Sequence, residues 1–253
     1  GAAIATVIGQ AVSLACYLIA QAKGLLCLHL SLEEGWRCRR LAGRLYGIGI
    51  PAVLNQALPS LLITALNSIL AAFSQTDILI LGVYYKLQTF IYLTANGIVQ
   101  GIRPLVAYNH GAGLPGRVRG IFRTALCSAF LVMALGTILC LLIPQNLIGM
   151  FSANADTISA GAAALRIICA GFMVSAVSVV VCGTLEGLGF GGMSFVISLL
   201  RYVAVILPTA WILSRIFGVA GVWHAFWIAE TTTAVAAAAL YRSVIRKIDV
   251  ALR

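Results

Sequence analysis

The chain has 253 residues, of which 61% are apolar and 9% are charged, and its formal net charge is +10. A soluble domain carries about 25% charged residues, and a mean hydropathy of +1.02 would expose far too much apolar surface to water. The composition therefore excludes a water-soluble globular protein. Because a helix needs about 20 apolar residues to cross a bilayer, the spans leave no room for a separate soluble catalytic domain.

Long apolar runs bounded by glycine, proline or charged residues predict helical membrane spans. There are seven, at residues 1–22, 47–73, 78–108, 121–143, 158–184, 191–214 and 218–240. The runs lack the strict alternation of a membrane β-barrel, so the predicted fold class is all-α, a polytopic membrane helix bundle. Residue 1 lies inside the first run, and we expect the chain to be a fragment cut within a span.

The basic residues predict the orientation of the spans, because cytoplasmic loops keep Lys and Arg. Twelve of the 17 fall after the first span, after the third span and in the tail: Lys23, Arg37, Arg39, Arg40, Arg44, Arg117, Arg119, Arg123, Arg242, Arg246, Lys247 and Arg253. The alternate loops contribute only Arg215. We therefore expect a multi-pass protein of the cell membrane, with residue 1 outside and the C-terminus in the cytoplasm. The positive charge indicates contact with an anionic lipid bilayer rather than with nucleic acid.

A short internal sequence repeat indicates two membrane units. Residues 1–10 align with residues 221–230 at an offset of 220, with three identities in ten positions. A period near that length suits a six-helix unit, and internal repeats are common in secondary transporters. Between the units we expect a linker on the inner leaflet, either a simple tether or a regulatory element. The predicted domains are the last helix of an N-terminal lobe, a cytoplasmic inter-lobe linker, a six-helix C-terminal lobe and a basic cytoplasmic tail, at residues 1–22, 23–46, 47–240 and 241–253.

Polar residues in the second span predict a cavity wall. Gln56 and Asn67 are eleven residues apart, which is close to three helical turns and puts both amides on one face. Pro51 and Pro59 can bend this helix, because each removes a backbone hydrogen bond. The alternative is that the amides make interhelical hydrogen bonds for stability.

The third span carries the most informative ionisable residue, Lys86, which we place roughly 12 Å below the outer end. Its helical stripe consists of Lys86, Phe90, Leu93, Gly97, Gln100 and Pro104. We predict that Lys86, Phe90 and Gln100 face a transport cavity closed by helices outside this sequence. The alternative is that Lys86 snorkels to the outer interface beside two tyrosines.

Arg201 and Glu230 lie in consecutive predicted spans, each about eleven residues from the inner end. Antiparallel helices bring them to similar depth, and an unpaired charge there is costly. We therefore predict an ion pair, and we favour a structural role that keeps the two helices in register over a role in transport. Glu186, at a glycine-rich inner turn, and Arg166 are predicted as surface or hinge groups.

The sequence contains none of the motifs sought for enzymatic or metal chemistry. There is no phosphate-binding glycine loop, no His-Glu-x-x-His and no Gly-x-Ser-x-Gly, so an ATP-driven pump and an intramembrane hydrolase have no support. The three histidines are isolated, and the seven cysteines form no Cys-x-x-Cys pair. We predict no catalytic residue, no metal site, no cofactor and no enzyme activity.

Several motifs carry a family resemblance over essentially the whole chain. They are Gly47 to Pro51, Gly82 to Gln88, Gln100 to Gly113, Arg201 before Pro208, and Gly218 to Trp223 leading to Ala229 and Glu230. Through them the chain resembles the multidrug and toxic compound extrusion (MATE) family of secondary antiporters, in particular its bacterial branches. The most specific run is Tyr108-Asn109-His110-Gly111-Ala112-Gly113.

The resemblance implies a transporter of twelve helices in two lobes around a central cavity. It implies export of drugs or organic cations from the bacterial inner membrane, in exchange for Na⁺ or H⁺, by alternating access. This chain then lacks the N-terminal lobe, its partner, and we expect the coupling carboxylates outside this sequence, because the apolar stretches of the second and fifth spans contain no Asp or Glu. Two alternatives stay open: a flippase for lipid-linked saccharides, motivated by Lys86 and Arg103, and a non-transporting scaffold or remnant.

Overall fold

The computed structural model describes residues 2–24 and 39–251, and within these ranges the chain is helical without strands. The helices are α1 (Ala2–Ala22), α2 (Arg39–Leu70), α3 (Gln75–Gly111), α4 (Pro115–Leu142), α5 (Pro144–Gly149), α6 (Ala155–Ile168), α7 (Phe172–Gly187), α8 (Gly191–Leu199), α9 (Ile206–Phe217) and α10 (Val219–Ala251). A 3₁₀ turn, Cys169–Gly171, joins α6 to α7, and a π-helical segment, Leu200–Val205, joins α8 to α9. The predicted all-α fold is confirmed.

Six helical segments of the described chain are long and apolar enough to cross a membrane. They are Ala3–Ala22, Leu45–Leu70, Gln75–Gly111, Pro115–Leu142, Ala155–Gly187 and Gly191–Phe217. The seventh predicted span, residues 218–240, is helical as part of α10, but His224, Glu230 and three threonines interrupt its apolar run. The chain is thus a polytopic membrane bundle.

The chain divides into two compact units, Gly1–Tyr46 and Gly47–Arg253. In the first unit, α1 exposes most of its apolar side chains, as a helix surrounded by lipid does. Much of the predicted inter-lobe linker, including Glu33 and Glu34, lies outside the described residues.

Small residues on α7 set the packing of the second unit, in which α7 contacts α3, α4 and α10. A Cβ atom at Gly183 would lie 2.2 Å from Val99 Cγ1, and one at Gly187 would lie 2.9 Å from the carbonyl oxygen of Arg103. Helices in lipid gain most of their association energy from such close contact, since lipid tails are as apolar as leucine. The glycines therefore let α7 approach α3 closely along the C-terminal half of α7.

The leucines of α2 repeat at four-residue spacing and attach this helix to the bundle. Leu58, Leu62, Leu66 and Leu70 are all buried, which is the pattern of a helix that packs through one face. Asn55 and Gln56 of α2 lie beside this stripe and contribute to the site described next.

Candidate functional site

Two cavities lie among α2, α3 and the α8–α9 segment, and α7 borders the first while α10 borders the second. The first, which we call the amide cavity, has a volume of about 360 Å³ and is lined by Asn55, Gln56, Asn96, Gln100, Arg103, Glu186 and Arg201, among others. The second, the tyrosine cavity, has a volume of about 240 Å³, and its lining includes Tyr85, Gln88, Tyr92, Arg201, Tyr202 and Glu230.

The two cavities follow each other along the bundle. On α2 the amide cavity is lined from Ala52 to Pro59 and the tyrosine cavity from Pro59 to Leu62. In α3 and in the α8–α9 segment, too, the residues toward one end line the amide cavity and those toward the other end line the tyrosine cavity. Both cavities share Pro59, Asn96, Arg201 and Tyr202. Arg201 therefore stands at the partition between them.

Glu186 is the centre of a polar cluster in the amide cavity. Its carboxylate forms an ion pair with Arg103 and accepts hydrogen bonds from Asn55 Nδ2 at 3.2 Å and Ser194 Oγ at 2.8 Å. One carboxylate thus connects α7 to α2, α3 and α8. The sequence predicts Glu186 as a surface or hinge group; in the structure its side chain is partly exposed and pairs with Arg103, because α7 approaches α3 closely at Gly187.

Arg201 and Glu230 form a buried ion pair beside the tyrosine cavity, with 8% and 7% of their surfaces exposed. Arg201 Nη2 also donates to the Tyr92 hydroxyl at 3.2 Å, and that hydroxyl donates to Ser175 Oγ at 2.7 Å. The guanidinium carbon lies 5.7 Å from the ring centroid of Tyr92 and 5.2 Å from that of Tyr202. Such ring faces attract a cation, so four groups hold Arg201 in place.

The local backbone explains how Arg201 reaches this position. It lies in the π-helical segment Leu200–Val205, where the extra residue in the turn shifts the faces of α8 relative to those of α9. Gly171, in the 3₁₀ turn, packs against α10, and a Cβ there would lie 3.0 Å from Glu230 Cγ. A larger residue at Gly171 would therefore displace the carboxylate that pairs with Arg201.

Two polar atoms of the tyrosine cavity have no hydrogen-bond partner among the described residues. They are Glu230 Oε2 and the Tyr85 hydroxyl oxygen, and both are buried from solvent. Buried polar atoms are satisfied in the great majority of structures. These two atoms therefore mark a place where water or a ligand completes the hydrogen bonding.

The structure brings together only part of the predicted transport site. Gln56 and Gln100 line the amide cavity, whereas Asn67, Lys86 and Phe90 line neither cavity. Lys86 is exposed, and its Nζ lies 5.5 Å from the ring centroid of Phe151 in the segment before α6.

The stripe predicted on α3 is present as an exposed face, which carries Phe90 and Gln100 as well as Lys86. Sequence reasoning missed Asn55, Asn96 and Tyr92 as cavity residues. Their signal was a polar side chain inside an apolar span, the same signal that identified Gln56. Within the described ranges, no group of three or more His, Cys, Asp or Glu residues is placed to hold a metal ion.

Comparison with known proteins gives consistent results. The MatE family model matches residues 51–212. The multidrug export protein MepA of Staphylococcus aureus strain MSSA476 is 24% identical over 237 residues, which cover 94% of this chain and 52% of MepA. MepA of Staphylococcus saprophyticus is 25% identical with the same coverage. The chain therefore spans about half the length of the curated relatives it matches.

Solved structures show the same fold. A crystal structure of MATE in complex with MaL6 superposes with a TM-score of 0.79 at 16% identity, covering 83% of this chain and 48% of that one. The Vibrio cholerae MATE transporter VcmN in its bent form superposes with a TM-score of 0.77 at 18% identity, covering 87% and 49%. At these identities the likeness concerns the fold alone.

Proposed function

The chain belongs to the MATE family, and from that premise we propose that it is half of a secondary antiporter that exports drugs or organic cations. The exchange ion is Na⁺ or H⁺, and transport proceeds by alternating access in a bacterial cell membrane. The relatives that this chain matches are named multidrug export proteins, which supports this activity. Their double length supports an N-terminal lobe as the missing partner.

The topology belongs to the same proposal. Residues 1–22 form the last helix of the N-terminal lobe, 23–46 the cytoplasmic linker, 47–240 the C-terminal lobe and 241–253 the basic tail. Residue 1 lies outside and the C-terminus inside, as the distribution of Lys and Arg indicates. We assign no enzymatic chemistry to the chain, because the MATE family is a family of transporters.

The observation that carries the proposal is the amide cavity. A pocket of about 360 Å³ lined by Asn55, Gln56, Asn96 and Gln100 opens at the surface of an apolar helix bundle. Polar residues in a membrane segment usually mark a solute pathway. Each amide both donates and accepts hydrogen bonds, so the lining suits polar solutes of varied structure.

The test is export by the full-length protein in cells. We expect Gln56→Ala to reduce export of a fluorescent organic cation, because it removes an amide from the cavity, and Lys86→Ala to reduce it if the exposed face of α3 borders the passage. Gln145→Ala is the matched control, since Gln145 is an exposed amide on α5. Unchanged export in both variants at normal expression would remove Gln56 and Lys86 from the pathway.

The flippase alternative has less support after the side chains are placed. It depended on Lys86 and Arg103 as free cations for a pyrophosphate. Arg103 is paired with Glu186, and Lys86 contacts Phe151. For the scaffold alternative, the upstream genomic sequence decides: an open reading frame that encodes the remaining spans supports a transporter, and a stop codon supports a remnant.

A further inference from the structure

We propose that Glu230 is a proton-binding carboxylate of the transport cycle and that the proton reaches it through the tyrosine cavity. This inference rests on the proposed antiport function and deepens it, because it names H⁺ as the exchange ion and assigns its site to a residue of this chain. It differs from the sequence-based expectation, which gave the Arg201–Glu230 pair a structural role and placed the coupling carboxylates elsewhere.

The hydrogen bonding of Glu230 is incomplete. Only 7% of its surface is exposed, and the partner of Oε1 is Arg201. Oε2 is buried and has no partner among the described residues. A purely structural ion pair would have both carboxylate oxygens satisfied, because an unpaired buried acceptor costs about 1–3 kcal/mol. The open oxygen is therefore a place where a proton can bind.

The tyrosine cavity gives water access to this oxygen. Its volume of about 240 Å³ holds several water molecules, each of which needs about 30 Å³. Tyr85, whose hydroxyl also has no partner in the described structure, lines the same cavity, as do Gln88 and Thr89. A chain of water molecules from these groups can deliver a proton to Oε2.

The surroundings favour a proton over a metal cation. The charged and titratable groups that face Glu230 are Arg201 and Tyr202 from the π-helical segment and Tyr84, Tyr85 and Tyr92 from α3, while α7 contributes the neutral Ser175. A metal ion at Oε2 would need several further oxygen ligands, and in the described part of the chain no group of three or more His, Cys, Asp or Glu residues is placed to supply them. A proton instead forms an O–H bond at Oε2 as the donating hydronium becomes water.

Protonation connects the site to the partition between the cavities. It removes the negative charge that pairs with Arg201, which then keeps only the Tyr92 hydroxyl and two aromatic rings as partners. Because Arg201 lines both cavities, a weaker hold on its guanidinium alters the wall of the amide cavity. Arg201 is accordingly a positioning residue for the proton site.

The experiment uses the full-length protein in lipid vesicles with ethidium as the probe. Glu230→Gln imitates the neutral acid, and Asp156→Asn is the matched control, because Asp156 is an exposed carboxylate in the first turn of α6 that lines neither cavity. We expect Glu230→Gln to lose ethidium transport driven by a pH gradient, down to the level of empty vesicles, while it keeps ethidium exchange without a gradient. Asp156→Asn should still respond to the gradient.

A wild-type response of Glu230→Gln to the pH gradient would overturn the proposal, as would transport in the parent protein driven by Na⁺ and not by pH. Arg201→Lys should keep ethidium exchange and shift the pH profile of transport; an unshifted profile would refute its positioning role. If Glu230→Gln fails to fold, Glu230→Asp takes its place: it should keep gradient-driven transport with a shifted pH profile, and an unshifted profile counts against the proposal.

A spectroscopic measurement separates this inference from the antiport function. If the parent protein moves no ethidium under any gradient, the proposed function fails, and the proton site is judged by infrared difference spectra between acidic and alkaline solution. We expect a protonated carboxyl band that disappears in Glu230→Gln and persists in Asp156→Asn. A band that survives in Glu230→Gln would show that the proton binds elsewhere.

Discussion

Gly221 lies where the first turn of α10 packs on α9, and replacing it with alanine should destabilise the protein. The new Cβ would lie 2.1 Å from the carbonyl oxygen of Leu213 and 2.4 Å from its carbonyl carbon. Ordinary van der Waals contact begins near 3.4 Å, so α9 and α10 must separate by about 1.3 Å. The obstacle is backbone, which cannot rotate away as a side chain can.

The magnitude follows from two opposing effects. Overpacking of this kind costs about 1–3 kcal/mol, and we expect the upper end because both colliding helices are continuous at the contact. Replacing a helical glycine with alanine returns about 0.5–1 kcal/mol through backbone entropy. The net loss in the free energy of unfolding is therefore about 2 kcal/mol.

The assay is an SDS unfolding titration of the full-length protein in micelles, followed by tryptophan fluorescence. Trp223 is buried two residues after Gly221 and reports directly on the contact. Gly120→Ala is the control, because no atom lies within 4 Å of a Cβ built there, and it should raise the unfolding free energy slightly. A Gly221→Ala protein as stable as the control would refute the close packing of α9 on α10.

Two further changes test the polar clusters by the same titration. Tyr92→Phe removes the hydroxyl that accepts a hydrogen bond from Arg201. It should lower the free energy of unfolding by about 2 kcal/mol, as the loss of a hydrogen bond to a charged group does. An SDS unfolding midpoint equal to that of the wild type would show that the hydroxyl does not hold the guanidinium. Asn55→Ala removes one donor to the partly exposed Glu186 and should cost about 1 kcal/mol. If Asn55→Ala lost more unfolding free energy than Tyr92→Phe, the assignment of the Arg201 cluster as more buried than the Glu186 cluster would be contradicted.

The contrast between Glu230 and Glu186 shows which side-chain contacts can be predicted from the sequence. Glu230 follows Arg201 across a single turn between antiparallel helices, so counting residues from the ends was enough to predict that they meet. Glu186 and Arg103 belong to helices separated by α4, α5 and α6, and no count along the chain relates them. Their pairing depends on Gly187, which brings α7 against the backbone of α3.

Lys86 illustrates a second limit. Helical periodicity correctly grouped Lys86, Phe90 and Gln100 on one face of α3, since a period of 3.6 residues is a property of the backbone. It did not decide what each part of that face meets. Gln100 borders the amide cavity, whereas Lys86, nearer the opposite end of the helix, contacts Phe151 from a segment that follows α5.

The amino-acid sequence by itself determined that this protein is a helical membrane bundle, because lipid satisfies no backbone hydrogen bond and long apolar segments must form helices there. It also indicated which polar side chains interrupt the apolar helices. Only the tertiary structure decided which of them share a cavity, and that Arg201 separates two. Those outcomes depend on the rotation of each helix about its axis and on how closely glycines let helices approach, neither of which is local in the chain.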